Sequence, residues 1–415
     1  MCLVSARISL PGQRYTSLHT RSRHTPVVFA VLLFCLACCT SSAFAQKLRL
    51  TNPLNVDRTP EVVEVPLTQV MKNLRLTEAK LESLVAIDVK NKKRIPSQLY
   101  SYRNGLDPDT LLLYVQLPAR GSMTISFKVD PKAPVQQPLV FGREAPERKD
   151  DFAWENQLVA YRVYGPALQA AGEVTSGIDV WSKRIPNFVI DSFYKRDAEG
   201  AAAHNPDLSY HKDNGQGLDS YLVGPSRGCG GTGVFIDNYL YVSKNYTFKR
   251  ILANGPIRFT FELKYDTWNA GGRTVVETKV ITLDAGSRMN RIDSAYTFIG
   301  QMAIPLAAGL ALHPGSEVSF PAGDNIISVW DTPQDPSAGR IATGIVALSD
   351  ENPKPLKTND NALMIFDRRA AETFTYYAGS GWSKADMKSQ AEWDSYLTSF
   401  LNFHQHPITA QWTKK

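Results

Sequence analysis

Ile257-Arg258-Phe259-Thr260-Phe261-Glu262-Leu263-Lys264-Tyr265-Asp266 alternates apolar and polar side chains without a break. Successive side chains of an extended chain point to opposite faces, so this is a strand with one buried face and one polar face. The polar face, Arg258, Thr260, Glu262 and Lys264, is either solvated or lines a wide cleft. Arg273 to Leu283 and Met289 to Phe298 continue as long strands, separated by the turn Asp284-Ala285-Gly286-Ser287. Long consecutive strands joined by turns predict a large antiparallel sandwich over residues 151–415.

Working outward, residues 46–130 read as short strands between turn residues. Val62–Val65, Leu84–Val89 and Leu111–Val115 are apolar or β-branched runs, and Ser122–Val129 alternates. This predicts a small N-terminal β-sandwich of immunoglobulin-like size. Residues 131–150 carry four prolines and the charge run Glu147-Arg148-Lys149-Asp150, the composition of a linker. Near the other end, Ser389-Gln390-Ala391-Glu392 is a capping-box pattern. Trp393, Tyr396, Leu397, Phe400 and Leu401 follow at helical spacing and predict a C-terminal helix packed on a core.

The first 45 residues have the layout of a secretory signal peptide. Arg7, Arg14, Arg21 and Arg23 precede an apolar run from Val27 to Ala37, and Ala43-Phe44-Ala45 offers a cleavage site. The rival readings are an uncleaved anchor or a lipid-anchored Cys38 or Cys39. Cleavage would leave no membrane span, and would place the mature chain in the periplasm or outside the cell. It would also lower the charge from +6, 46 Lys+Arg against 40 Asp+Glu, to 42 against 40, or +2. Nothing in that balance points to nucleic acid. Cys229 would be the one remaining cysteine, which excludes an intrachain disulfide and a cysteine-based zinc site.

Three segments could carry chemistry. The densest runs from Tyr210 to Gly231 and holds His211, Asp213, Asp219, Tyr221, Arg227 and six glycines. Asp213-x-Gly215-x-Gly217-x-Asp219 lacks the carboxylate spacing of an EF-hand. The glycines at 228–233 lack the Lys-Ser/Thr of a phosphate loop. His404 and His406 could supply two metal ligands but no third is near, so neither a metal nor a cofactor is expected. The second segment, Tyr376 to Lys384, offers Tyr376, Trp382 and Lys384 as a sugar-stacking platform, or else as a strand end with Trp382 in the core. The third is Asp151 to Pro166, where Trp154 and Asn156 share a strand face.

Together these segments resemble a bacterial domain family of unknown function within the galactose mutarotase-like superfamily, found in polysaccharide-degradation loci. The resemblance rests on Phe152–Asn156, Tyr161–Pro166, Gly177–Trp181, the Tyr210–Gly231 block and Tyr377–Lys384. It implies a large β-supersandwich with a sugar-binding concave face. It also implies activity on oligosaccharides from acidic polysaccharides of the ulvan or pectin type, including dehydration of a terminal uronic acid.

Such a dehydration needs a base for the proton at C5, a cation for the carboxylate, and an acid for the departing C4 hydroxyl. His211 is the candidate base, oriented by Asp213 or Asp219, and Arg227 the candidate carboxylate fork. Tyr210, Tyr221 or Tyr376 is the candidate acid. Asn156, Trp154, Trp382 and Lys384 are candidate substrate contacts. This chemistry requires His211 and Arg227 to share one cavity. Two other functions fit the same sequence: a glycoside hydrolase using Asp213 and Asp219 as paired carboxylates, and a non-catalytic carbohydrate-binding or mutarotase-like protein.

Overall fold

A computed structural model describes residues 46–102 and 106–413 of the chain. The signal-peptide segment lies outside the described residues. The described residues form one compact unit. It is mostly antiparallel β-sheet with a C-terminal helix, as the alternation predicts.

The stretch that opened the sequence reading is the strand Arg258–Lys264 in a nine-stranded sheet. It pairs with Arg273–Asp284, which pairs with Met289–Phe298, which pairs in turn with Thr373–Trp382. Phe259, Phe261 and Leu263 are fully buried against a second sheet built from Cys229–Ile236, Ile304–Ala311 and Asn361–Arg368, and against a third containing Asp151–Asn156. The Phe152 ring stacks 4.5 Å from that of Phe261. Each such side chain contributes about 1.5–3 kcal/mol when fully buried.

Residues 131–150 are not wholly a linker. Val140–Ala145 is an edge strand that pairs along its length with Asp151–Asn156. Prolines at both ends hid a strand that Phe141 and the chain reversal at 146–150 secure.

In the N-terminal module the strands Glu61–Pro66, Thr110–Val115 and Ser97–Tyr100 face a second sheet containing Leu48–Thr51, Leu84–Asp88 and Ser122–Val129. A separate apolar core lies between them. That second sheet gains a strand from the far end of the chain: Thr409–Trp412 pairs with Leu48–Thr51, Trp412 opposite Leu48.

The helix Gln390–Gln405 begins where the capping pattern predicts, with the Ser389 hydroxyl accepting from the Glu392 backbone N–H. The Glu392 carboxylate reaches back to the Lys388 N–H, one residue before the cap. Trp393, Leu397 and Leu401 bury against Ala342, Val346 and Trp330 on the outer face of the nine-stranded sheet. Tyr396, Phe400 and Phe403 line a cavity beside that sheet.

Candidate functional site

The N-terminal module and the C-terminal helix cover different parts of the polar face of the nine-stranded sheet. Between them lies a cavity of about 500 Å³, within the size range of small-molecule sites. Arg258, Thr260, Thr282, Asp284, Arg291 and Asp293 line its floor. The module contributes Glu64, Tyr100 and Tyr102, and the helix contributes Tyr396, Phe400, Phe403 and His404. The first half of the polar face is thus the floor of a cleft, with Thr260 1% exposed and Arg258 6%, while Lys264 at its other end is exposed.

Arg258 ties the two halves together. It forks onto Asp284 at 2.6 and 2.7 Å and reaches Glu64 of the module at 2.6 Å. Glu64 also accepts from the Tyr102 hydroxyl at 2.6 Å. Its donors are therefore committed to structure. Arg58 closes the far wall: its guanidinium donates to the carbonyls of Phe403 and His406 and lies 4.4 Å from the Phe403 ring centre.

Arg291 differs. Its Nε and Nη2 both donate to one oxygen of Asp293, at 3.2 and 3.0 Å, while Nη1 makes no hydrogen bond among the described residues. Burial works against its charge, and the Asp293 carboxylate together with the Tyr377 and Tyr102 hydroxyls outweighs that. Arg291 sits directly opposite Tyr377 in the sheet, and cross-strand partners share a face with Cβ atoms about 5 Å apart. The Tyr377 ring in turn lies 4.6 Å from that of His404. Guanidinium, phenol and imidazole thus form a continuous row.

His404 is exposed where it lines the cavity, and desolvation by the surrounding protein lowers its pKa. Its Nδ1 lies 2.9 Å from the Phe400 carbonyl, so Nδ1 carries the proton and Nε2 keeps a free lone pair. Burial pushes the Tyr377 hydroxyl up to about 12. The Tyr102 hydroxyl is also raised, by burial first. The row therefore holds an uncharged base, a protonated phenol and a cation with an unused donor.

The residues singled out from sequence fall elsewhere. Arg227 is 1% exposed. Its Nη1 donates to Ser176 Oγ at 3.0 Å and to the Thr232 carbonyl at 3.2 Å, and its stem lies on Gly309. Burial pushes its pKa down to about 10. A guanidinium enclosed in the sandwich cannot fork onto a sugar carboxylate. His211 is exposed, with Nδ1 3.0 Å from the Asp219 carbonyl. It shares no partner with Arg227, and neither lines the cavity.

Tyr210 is buried on Trp181, and its hydroxyl accepts from Arg148 at 3.0 Å and Arg162 at 3.1 Å. Asp219 is buried and pairs with Arg162, which also holds Asp179. Tyr221 is buried with its ring edge-on to His313. The Tyr210–Gly231 block is therefore largely scaffold around a buried ion network.

Trp154 is buried, donating to Asn290 at 2.7 Å. Asn156 donates to the carbonyls of Asp284 and Ser287 at 2.7 and 2.6 Å, so it holds the turn that walls the cavity. Tyr376 is buried, donating to the Gly230 carbonyl; its neighbour Tyr377 faces the cavity. Trp382 is buried, donating to the Ala338 carbonyl at 2.7 Å. Asp213 pairs with Arg184, and Lys384 is exposed. These last three gather beside a second, shallower hollow.

The signal that sequence reading passed over is in part periodic. Arg258 belongs to the alternating face, while Arg291 and Tyr377 owe their partnership to strand register. His404 stands eleven residues after Trp393, three turns on along the helix. Among the described residues no group of three or more His, Cys, Asp or Glu could hold a metal ion, and no helix is long and apolar enough to cross a membrane.

A mostly-β chain whose modules close a polar, arginine-bearing cavity is the class that fold and site define. Residues 50–410 match the model of a domain family of unknown function, DUF4861, and the chain belongs to that family. It is 29% identical over 389 residues to an uncharacterized protein, P7, of Formosa agariphila, covering 90% of this chain and 94% of that one. Two solved structures from Enterococcus faecalis are also similar. One is a protein in glycosyl hydrolase family 38, at TM-score 0.47, 11% identity and 90% coverage of this chain. The other is an α-mannosidase, at TM-score 0.45, 11% identity and 89% coverage. The chain spans about half the length of each, 47% and 46%.

Proposed function

We propose that this is a carbohydrate-active enzyme whose cavity takes the terminal uronic acid of an oligosaccharide and removes water from it. The observation that carries the reading is the row Arg291–Tyr377–His404 on the cavity wall. Nη1 of Arg291 is the donor for the sugar carboxylate, which gains negative charge as the C5 proton leaves. Nε2 of His404 takes that proton. The C5–H electron pair becomes the C4=C5 bond, the C4–O bond breaks, and the leaving hydroxyl takes the Tyr377 proton and departs as water. A proton passing from His404 to Tyr377 restores both groups. The aromatic rings of Phe400, Tyr102 and Tyr396 supply apolar surface for the sugar's C–H faces.

Paired carboxylates for hydrolysis are less well placed. Glu64 and Asp284 both spend oxygens on the Arg258 guanidinium, and Asp213 and Asp219 lie outside the cavity. Export to the periplasm or beyond, with cleavage after Ala45, is the setting proposed for such a substrate; N-terminal sequencing of the exported chain should begin at Gln46.

The test is to incubate the protein with uronate oligosaccharides and follow product mass and ultraviolet absorbance. Loss of one water with new absorbance from an unsaturated uronate, at constant chain length, is the expected result. Shortening without absorbance would replace elimination with hydrolysis. His404→Gln and Arg291→Lys should each lower turnover by about 10²–10⁴-fold without unfolding the protein. Full activity in either folded variant removes that residue from the mechanism.

A further inference from the structure

On the other side of the turn Asp284–Met289 lies a shallower hollow of about 360 Å³. Ser287 and Met289 line the large cavity while Arg288 between them lines the hollow, so the two share one wall. Four cations, Lys183, Arg184, Arg288 and Lys384, meet there against the single carboxylate of Asp386 among the lining residues. They come from three distant stretches of chain, one of which, ending at Lys384, is a segment that carries the family resemblance.

The four are held differently. Lys183 is buried, fixed at 2.6 Å from both Glu155 and the Asn156 carbonyl. It forms the floor with its charge paired to Glu155, and burial lowers its pKa. Arg184 and Arg288 each pair with a carboxylate at the surface, Asp213 and Asp386, the latter 55% exposed. The partly exposed Arg184–Asp213 pair contributes little to stability, about 0–1 kcal/mol, so a ligand anion can replace Asp213 at small cost; Arg288 is itself buried, and Asp386 is the exposed end of its pair. The Arg184 guanidinium is also braced 4.9 Å over the Trp382 ring. Lys384 is exposed at the rim. Pro186, Ile185 and Leu158 add apolar surface beside these charges.

We propose that this hollow is a second subsite, which binds a carboxylate or sulfate group on a sugar further along the same acidic oligosaccharide. The proposal rests on the reading of the large cavity as the site for the terminal uronate. A chain crossing the Asp284–Met289 turn would meet Arg291 on one side and the four cations on the other. The enzyme would then prefer long acidic chains over short ones.

The experiment compares binding of uronate disaccharides and tetrasaccharides, with and without sulfate esters, to the wild type and to the Arg184→Ala/Lys384→Ala double variant. Lys384→Gln alone, at an exposed position, serves as the variant least able to disturb the fold. In the wild type the tetrasaccharide should bind more tightly. In the double variant the ratio of tetrasaccharide to disaccharide affinity should fall about tenfold, and in Lys384→Gln by a smaller factor in the same direction. A loss confined to sulfated chains assigns the subsite to sulfate, and a loss with both assigns it to any anion. An unchanged ratio in both variants overturns the subsite while leaving the cavity reading intact. No binding of any acidic oligosaccharide by the wild type overturns both.

Discussion

Glu277 and Lys279 lie on the strand Arg273–Asp284 with both side chains turned into the sandwich, 1% and 0% exposed and 3.2 Å apart. Thr232 and Ser294 hydroxyls also donate to Glu277. Arg227 belongs to the same enclosed cluster, with Glu277 favouring its charge and Lys279 feeling its repulsion. Two buried cations therefore share one carboxylate, and the two ends of the pair are not equivalent.

Lys279→Met leaves Glu277 with Arg227 and both hydroxyls, so the charges still balance; the expected loss is about 1.5–3 kcal/mol, the scale of one charge-assisted hydrogen bond. Glu277→Gln leaves two buried cations without a counter-ion. Removing one partner of a buried pair costs about 3–5 kcal/mol. Lys279 can escape by losing its proton, which caps its share of the penalty. From the ordinary lysine value of about 10.4, at about 1.4 kcal/mol per pH unit, that cap is about 5 kcal/mol at pH 7 and about 2 at pH 9. Urea unfolding followed by circular dichroism at both pH values reads these differences. Glu277→Gln should be the more damaging change at pH 7, and its deficit should shrink by pH 9. If Lys279→Met proves costlier, or if the Glu277→Gln deficit does not move with pH, the two-to-one charge balance is wrong.

Two further outcomes follow from the fold. His313 donates from both ring nitrogens, to Asp331 at 2.6 Å and to the Leu222 carbonyl at 2.8 Å, and the Asp331 hydrogen bond raises its pKa above 6.5. The stability it adds is full below the unfolded value of about 6.5 and is lost as pH rises through the folded value; the urea-unfolding gap between wild type and His313→Gln should therefore narrow from pH 6 to pH 9. Gly286 has φ +77°, and a Cβ there would meet the Pro60 carbonyl oxygen at 2.4 Å and the Tyr114 hydroxyl at 2.9 Å. Gly286→Ala should cost about 2–4 kcal/mol from strain and overpacking together, seen as a lower thermal midpoint.

Much of the architecture was legible before any coordinates because it depends on local period. Ile257–Asp266 states by alternation alone which of its side chains go inward, and Ser389 with Glu392 marks the start of a helix three residues wide in its evidence. Ser122–Val129 is a strand over the very residues that alternate. Each of these signals is carried by neighbours in the chain, so no long-range contact is needed to read them.

The site was not legible in that way. Tyr376 and Tyr377 are chemically alike, and sequence gives no reason to prefer one; the pairing of Tyr377 with Arg291 decides that it faces the cavity while Tyr376 enters the core. The dense run of polar groups from Tyr210 to Gly231 attracts attention for its composition, yet Tyr210 and Asp219 are tied up in the interior by Arg162, which also holds Asp179. Only Asp213 of that run reaches a hollow's edge, through Arg184.

By itself, then, the sequence determined the strand pattern, the C-terminal helix and the family, because repeating hydrophobicity and extended motif similarity survive in one dimension. The tertiary structure decided which arginine, tyrosine and histidine meet. It did so by folding Glu61–Pro66, the sheet face of Arg258 and Arg291, and the helix Gln390–Gln405 around one cavity, and by pairing Thr409–Trp412 with Leu48–Thr51. Convergence of segments more than 300 residues apart is a property of packing, and no period within any one of them encodes it.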